Sequence, residues 1–236
     1  QRQMCIRDRL GNHEFNYGID YLKSYVNQVN YPILAANVLN NEGQPAFGPA
    51  YKIIEAQGVK IGIVGFLTQY IPHWEKPSII KDLTFQSILT TAKDILPDLR
   101  QSVDLLIVAY HGGFERDLQT GLPTESLTGE NEAYQLVEEY KDYIDALVTG
   151  HQHREIADHL FGVPVIQPGY RGAFVGEIEL ELDNHKKVVA SNARLHKTEN
   201  CKVSSEVNQL ISDVSTEAED WLDQPMGEVH GEMIIR

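Results

Sequence analysis

Apolar and polar residues follow two different periods along the chain, and the two kinds of segment alternate. Apolar residues three or four positions apart, the period of an amphipathic helix, occur over residues 17–29, 84–100 and 131–141. Nearly continuous apolar runs typical of buried strands occur over residues 32–38, 51–68, 102–113 and 143–153, the second of these as a hairpin that turns at Gly58. Strands that alternate with amphipathic helices predict a mixed α/β core with its central strands covered on both faces.

The last third of the chain breaks this alternation. Three strand-like segments follow one another over residues 163–169, 173–183 and 187–195, with Asp183-Asn184 as a turn signal, and predict a second, more antiparallel sheet. Residues 10–200 would then form one domain, with residues 201–224 as a linking segment that contains an acidic helix. Residues 225–236 are interpreted as the start of a further, nucleotide-binding domain, and residues 1–9 as a tail foreign to the fold.

The composition of the chain argues against several classes of function and structure. The 34 acidic and 20 basic residues give a net charge of −14, which disfavours non-specific binding of a nucleic acid polymer. The two cysteines, Cys5 and Cys201, allow neither a disulfide framework nor a thiolate zinc site. No apolar run reaches the roughly 18 residues that a membrane-spanning helix needs, so no membrane span is expected.

Histidine and amide side chains follow several of the predicted strands. Asn12 and His13 stand in "GNHEF", His111 in "AYHGG", and His151 and His153 in "TGHQH". Each cluster taken singly has an ordinary structural explanation: a histidine after a buried strand is often only hydrogen-bonded, and "GNHE" could be a helix-capping turn. Because residues beyond the carboxyl ends of strands converge on one crevice, the three clusters together indicate a metal site. Alternation along an extended segment is expected to point His151 and His153 to the same side.

The motifs "GNHEFNYG", "YHGG" and "TGHQH" together resemble the calcineurin-like metallophosphoesterase superfamily, from Leu10 to the end of the chain. Asn16, "YIPHWEKP" and the segment from His111 to Leu136 are similar to the 2',3'-cyclic-nucleotide 2'-phosphodiesterase/3'-nucleotidase type within its 5'-nucleotidase-like branch. The resemblance implies an αββα sandwich of four layers, with two mixed sheets flanked by helices.

The resemblance also implies roles for the candidate residues. Asn12, His111 and His151 would ligate one divalent ion and His153 a second, with Mn, Zn, Fe or Co as the metal. Two such ions about 3.5–4 Å apart activate water for in-line attack on phosphorus. His13 would contact the scissile phosphate, either stabilising its developing charge or protonating the leaving ribose oxygen, and Glu14 would either support a metal ligand or be structural.

The expected substrates are 2',3'-cyclic nucleotides, opened at the 2' oxygen, and then 3'-nucleotides; a 5'-nucleotidase or nucleotide-sugar hydrolase is the nearest alternative. The family's Asp-x-His and Gly-Asp segments do not precede Gly11, so its first strands are expected to be missing and the 236-residue chain alone to bind metal poorly and be nearly inactive. A non-catalytic binding protein is an alternative of another class. Relatives are often exported, which favours a periplasmic or extracellular location, with the cytoplasm as the alternative.

Overall fold

The computed structural model describes residues 8–227, without the side chains of Asp8 and Arg9. Most of the expected foreign tail and of the expected C-terminal domain therefore lies outside the described residues. Within them the chain forms five α-helices: α1 Ile19–Gln28, α2 Pro77–Ile80, α3 Ile88–Ser102, α4 Ala133–Tyr140 and α5 Ser205–Leu222. The same residues form twelve strands: β1 Asp8–Arg9, β2 Ile33–Leu34, β3 Val38–Leu39, β4 Tyr51–Ala56, β5 Val59–Leu67, β6 Thr84–Phe85, β7 Leu105–His111, β8 Ala146–Val148, β9 Glu155–Leu160, β10 Val163–Pro168, β11 Phe174–Leu182 and β12 Val188–Lys197.

A six-stranded mixed sheet forms the centre of the fold, in the order β4-β5-β7-β8-β10-β9. The four inner strands are parallel to one another, whereas β4 and β9 pair antiparallel at the two edges. The mixed α/β fold predicted from the alternation of helices and strands is confirmed.

Alternation along the central strands separates two cores. Val64, Phe66, Val108 and Tyr110 point to one face of the sheet, where they pack in the core that α3 and α4 complete. Leu67 points to the opposite face and joins a second core, whose other buried members are Leu10, Phe15, Leu22, Ile33, Ala35, Val38, Phe47, Ile71 and Ile80. His111 is one residue after Tyr110, so its side chain lies on the face of this second core.

Beside the six-stranded sheet, the described residues form three separate two-stranded sheets. β1 pairs parallel with β2, β3 pairs antiparallel with β6, and β11 pairs antiparallel with β12. Strand β1 consists of Asp8 and Arg9, the last two residues of the expected tail. These two residues therefore pair with a strand of the fold.

The prediction that residues 163–169 belong to the second sheet is wrong. β10 lies inside the main sheet, between β8 and β9. Its first five residues are all buried, as suits a strand covered on both faces, whereas the residues of β11 are all either exposed or half-buried. Strand β9, which pairs with β10 across the Phe161-Gly162 turn, was not predicted from the sequence.

The helix expected over residues 84–100 begins later. Thr84 and Phe85 form strand β6, and the helix starts after Ser87, whose hydroxyl accepts a hydrogen bond from the Thr90 amide at 3.4 Å. Serine is a favourable N-cap because its side chain satisfies an amide that has no partner within the helix.

The chain divides into two compact units, residues 1–198 and 199–236. The described part of the second unit consists of α5 and short flanking segments, and α5 contains no buried residue. The division at residue 198 lies close to the expected domain end at residue 200, which stays a prediction. No helix among the described residues is both long and apolar enough to cross a membrane.

Candidate functional site

The turn that carries Asn12 and His13 is anchored by its neighbours in sequence. Residues Asn12–Phe15 form a 3-10 helix after β1, with Phe15 fully buried. The Gly11 amide donates a hydrogen bond to the Glu14 carboxylate at 2.6 Å. The Glu14 side chain thus satisfies the amide at the N-terminus of this short helix, which is a structural contact.

The side chains of Asn12 and His111 are in direct contact. His111 is the last residue of β7, and its Nε2 lies 2.9 Å from Asn12 Oδ1. A Cβ atom on Gly11 would lie 2.8 Å from His111 Cε1, so this close approach requires glycine at position 11. Two residues that are 99 positions apart in the sequence therefore share one contact.

His151 completes a cluster of three. It follows β8, and its ring centroid lies 5.4 Å from that of His111. The His151 Nε2 lies 2.8 Å from Glu130 Oε1, and Trp74 approaches the other side of the ring at a centroid distance of 5.4 Å. A carboxylate on an imidazole nitrogen fixes the orientation and tautomer of the ring.

The expectation that His151 and His153 lie on an extended segment is wrong. β8 ends at Val148, and both histidines have left-handed backbones with φ of 70° and 58°. Such a conformation is costly for a residue with a Cβ and persists only where surrounding contacts hold it, which is common at functional sites.

His153 makes a different contact from the other candidates. Its exposed ring stacks on Tyr170 with a centroid distance of 5.2 Å and an interplanar angle of 16°. The structure thus brings Asn12, His111 and His151 together, whereas the ring contact of His153 within the described residues is with Tyr170.

His13 follows Asn12 in the sequence, and its side chain is exposed to solvent. Its Nδ1 lies 2.8 Å from Asn16 Oδ1, and Asn16 Nδ2 in turn donates a hydrogen bond to Glu75 Oε1 at 2.6 Å. A cleft of about 580 Å³ is lined by His151 and, among others, by Glu125, Glu130 and Arg154.

Two acidic side chains lie at or against the start of α4: Glu115, which is buried, and Glu132, which is half-buried. Glu115 accepts hydrogen bonds from the Tyr134 and Gln135 amides at the start of α4, at 3.0 and 2.9 Å. Burial raises the pKa of Glu132 to about 7, and the charge of Glu115 adds to this effect. Burial also raises the pKa of Glu115, although its hydrogen bonds from backbone amides oppose the shift.

Five of the side chains described above were not predicted from the sequence as functional candidates: Glu130, Trp74, Glu75, Glu115 and Glu132. Glu130 lies in a polar loop before α4, and Trp74 and Glu75 follow the 3-10 helix Ile71–His73. The periodicity of these segments does not identify functional residues, because the side chains make their contacts with residues that are distant in the sequence.

The donor set fits one divalent ion in part. Asn12, His111 and His151 offer an amide oxygen and imidazole nitrogens, which suit Mn, Fe, Co or Zn. All three donors are neutral, and the described residues contain no group of three or more His, Cys, Asp or Glu side chains arranged to hold a metal ion. These three residues could therefore supply part of the ligand set of a metal site. None of them carries a carboxylate that could bridge two ions.

Comparison with known proteins finds one matching sequence family and several relatives. The sequence family described as calcineurin-like phosphoesterase matches residues 5–155. The 2',3'-cyclic-nucleotide 2'-phosphodiesterase/3'-nucleotidase of Salmonella typhimurium is 33% identical over 200 residues, which are 74% of this chain and 30% of that protein. The trifunctional nucleotide phosphoesterase YfkN of Bacillus subtilis is 31% identical over 198 residues, which are 74% of this chain and 13% of that protein.

A solved structure shows the same fold. A Staphylococcus aureus protein assigned as a 5'-nucleotidase superimposes with a TM-score of 0.85 at 40% identity, over 92% of this chain and 42% of that one. The chain thus spans less than half the length of each of these three relatives.

Proposed function

The chain belongs to the calcineurin-like phosphoesterase family, and from that premise we propose that it carries the catalytic domain of a hydrolase that cleaves phosphoesters of nucleotides. The observation that supports this most is the convergence of Asn12, His111 and His151, with 2.9 Å between Asn12 Oδ1 and His111 Nε2 and 5.4 Å between the two imidazole rings. The names of the three relatives described above, each a nucleotide phosphoesterase or a nucleotidase, support the substrate class.

In this proposal the substrates are 2',3'-cyclic nucleotides and then 3'-nucleotides. Asn12, His111 and His151 hold one divalent ion, and His153 contributes to a second. The ions supply Lewis-acid activation of water and neutralise charge on the phosphoryl oxygens. Glu130 orients the His151 ring by accepting a hydrogen bond from it, and the cleft beside His151 receives the nucleoside.

His13 acts on the leaving group. Water attacks phosphorus and releases one proton to the solvent, the bond between phosphorus and the ribose 2' oxygen breaks, and that oxygen takes the electron pair together with a proton from the imidazolium form of His13, at Nε2. The product is a nucleoside 3'-phosphate with a free 2' hydroxyl, and His13 is left neutral. Proton donation of this kind typically contributes about 10²–10⁴-fold to the rate.

The 236-residue chain by itself is proposed to bind metal weakly and to hydrolyse phosphoesters very slowly. Three neutral donors attract a divalent cation less strongly than a set that includes carboxylates. A location outside the cytoplasm is proposed on the resemblance alone.

The substrate assay uses the protein expressed from its complete reading frame, supplied with Mn²⁺. Release of product is measured from 2',3'-cyclic AMP, 3'-AMP and 5'-AMP, for the wild type and for His111→Ala, His151→Ala and the exposed control His185→Ala. We expect kcat/KM to be highest for the cyclic substrate, to fall at least 100-fold in the first two variants and to stay unchanged in the control.

The other outcomes decide between the alternatives. A higher kcat/KM for 5'-AMP would instead support a 5'-nucleotidase, which the likeness to the Staphylococcus aureus protein favours. No hydrolysis of any of the three substrates would overturn the proposed activity and leave a nucleotide-binding protein.

A further inference from the structure

Three side chains form a continuous hydrogen-bonded chain that ends on His13. His13 Nδ1 lies 2.8 Å from Asn16 Oδ1, and Asn16 Nδ2 lies 2.6 Å from Glu75 Oε1. Glu75 is 59 residues away from Asn16 in the sequence, so the second contact joins two separate segments of the fold.

The segment that carries Glu75 is held in place independently of this contact. The Glu75 and Trp74 amides both donate hydrogen bonds to the Ile71 carbonyl at 3.0 Å, and the Ile71 side chain is fully buried in the second core. The Tyr70 and His73 rings stack at a centroid distance of 3.8 Å, and Trp74 packs against His151. Glu75 therefore reaches Asn16 from a fixed backbone.

The chemistry of the three groups settles which atom donates at each step. An ionised carboxylate can only accept, so the Asn16 amide turns its NH₂ group towards Glu75. The Asn16 carbonyl oxygen then faces His13, and because that oxygen also only accepts, His13 Nδ1 must carry the proton. Nε2 is left as the nitrogen that can exchange a proton with a substrate.

We propose that Glu75 is a positioning residue for His13. Through Asn16 it holds the imidazole in the Nδ1–H tautomer and in the orientation that presents Nε2 to the leaving oxygen. An amide alone could rotate by 180° and offer its NH₂ group to His13, whereas an amide tied to a carboxylate cannot do so without placing two oxygens against each other. The catalytic consequence rests on the proposed function, but the tautomer of His13 does not.

The first experiment reads the tautomer directly in the 236-residue chain without metal. Long-range ¹H–¹⁵N correlation spectra at pH 8 report which ring nitrogen of each histidine carries the proton, and His13 is assigned by the loss of its signals in His13→Gln. We expect the Nδ1–H form to predominate in the wild type and the Nε2–H form to predominate in Glu75→Ala. The exposed control Glu55→Ala should leave the His13 spectrum unchanged. An Nδ1–H fraction that is the same in Glu75→Ala and in the wild type would overturn the proposal.

The second experiment exchanges the two polar groups in the protein from the complete reading frame. Asn16→Asp alone places two carboxylates in contact. Asn16→Asp combined with Glu75→Gln restores a donor opposite each acceptor, since the introduced amide can donate to the introduced carboxylate, and that carboxylate can accept from His13 Nδ1. We expect each of Glu75→Ala and Asn16→Asp to lower kcat on nucleotide substrates by about tenfold or more, with KM nearly unchanged. The double variant should recover to within about threefold of the wild type.

A comparison of leaving groups separates positioning from a general structural role. p-Nitrophenolate leaves without protonation, so kcat for bis-p-nitrophenyl phosphate should fall less than about threefold in Glu75→Ala, against tenfold or more for the nucleotide. Equal losses on both substrates, or a double variant as poor as Asn16→Asp, would overturn the proposal. If the wild type hydrolyses no nucleotide but Glu75→Ala still shifts the His13 tautomer, the proposed function fails and the positioning role stands.

Discussion

At the scale of single residues, the site is stabilised by contacts that could not be predicted from the sequence. The positions of Asn12, His111 and His151 follow from a general rule, that residues beyond the carboxyl ends of parallel strands converge. The left-handed backbone of His151 and His153 does not follow from it, because the conformation depends on where β8 ends and on contacts from other segments. Glu130 and Glu75 act across 21 and 59 residues, and no local pattern reports such a pairing.

Glu132 makes the stability of the fold depend on pH. The pKa of its half-buried carboxyl is raised from 4.5 to about 7, first by desolvation and then by the charges of Glu115 and Glu139. Between these two values the folded protein holds a proton that the unfolded chain releases, so stability falls as the pH rises from about 4.5 to about 7. In keeping with this, one of its carboxylate oxygens is buried without a hydrogen-bond partner.

Glu132→Gln should remove this dependence, because glutamine resembles the protonated carboxyl and does not titrate. We expect the variant to gain about 1 kcal/mol over the wild type at pH 8 and little at pH 5, a figure reduced because the side chain is partly open to solvent. Urea unfolding at the two pH values measures the difference. Glu138→Gln, an exposed position on α4, is the matched control and should show no such gain. A gain of equal size at both pH values would show that charge is not the cause.

At the scale of elements, periodicity predicted single helices and strands from their own sequences. It did not predict the strand order, which depends on several segments. The apolar runs that became β5, β7 and β8 and the amphipathic helices α1, α3 and α4 were all predicted from their own sequences. The sequence did not show that residues 163–168 insert between β8 and β9, because strand order follows from pairing between distant segments. Short strands such as β3 and β6 were missed since two residues carry no measurable period.

Asp145 joins two of these elements. Its Oδ2 accepts hydrogen bonds from the Leu106 amide at 2.7 Å and from the Arg100 guanidinium, so it ties the last turns of α3 to the start of β7. Arg100 also donates to the Asp104 carbonyl. One carboxylate thus satisfies a backbone amide and a cation that are both partly buried.

Asp145→Ala should destabilise the fold by about 1–3 kcal/mol, because it leaves the Leu106 amide and Arg100 without this acceptor. For a chain of this size that corresponds to a loss of roughly 2–12 °C in Tm. Glu179→Ala breaks the exposed ion pair with Arg194, where both side chains are more than half exposed, and should cost no more than about 1 kcal/mol. Thermal unfolding followed by circular dichroism compares the two, and equal losses would contradict the role assigned to Asp145.

At the scale of the whole molecule, the two compact units differ in what they bury. Every buried apolar side chain among the described residues lies between Leu10 and Ile166, within the unit of residues 1–198. Helix α5 has no buried residue, and its Val207, Leu210 and Val214 are all exposed. Since burial of apolar surface is the main stabilising term in folding, the stability of this chain should come from its first unit.

Removal of residues 199–236 should therefore leave folding intact, with Tm changed by less than about 3 °C, or about 1 kcal/mol. A shorter chain that ends at residue 187 is the informative comparison, since it loses β12 and with it all nine pairings of β11. β11 would then present an unpaired edge and its half-buried residues to water, so we expect a clearly lower Tm and a tendency to aggregate. Differential scanning calorimetry of the three chains measures the order of stability. A loss above about 5 °C on removal of residues 199–236 alone would show that the second unit contributes to the stability of the first.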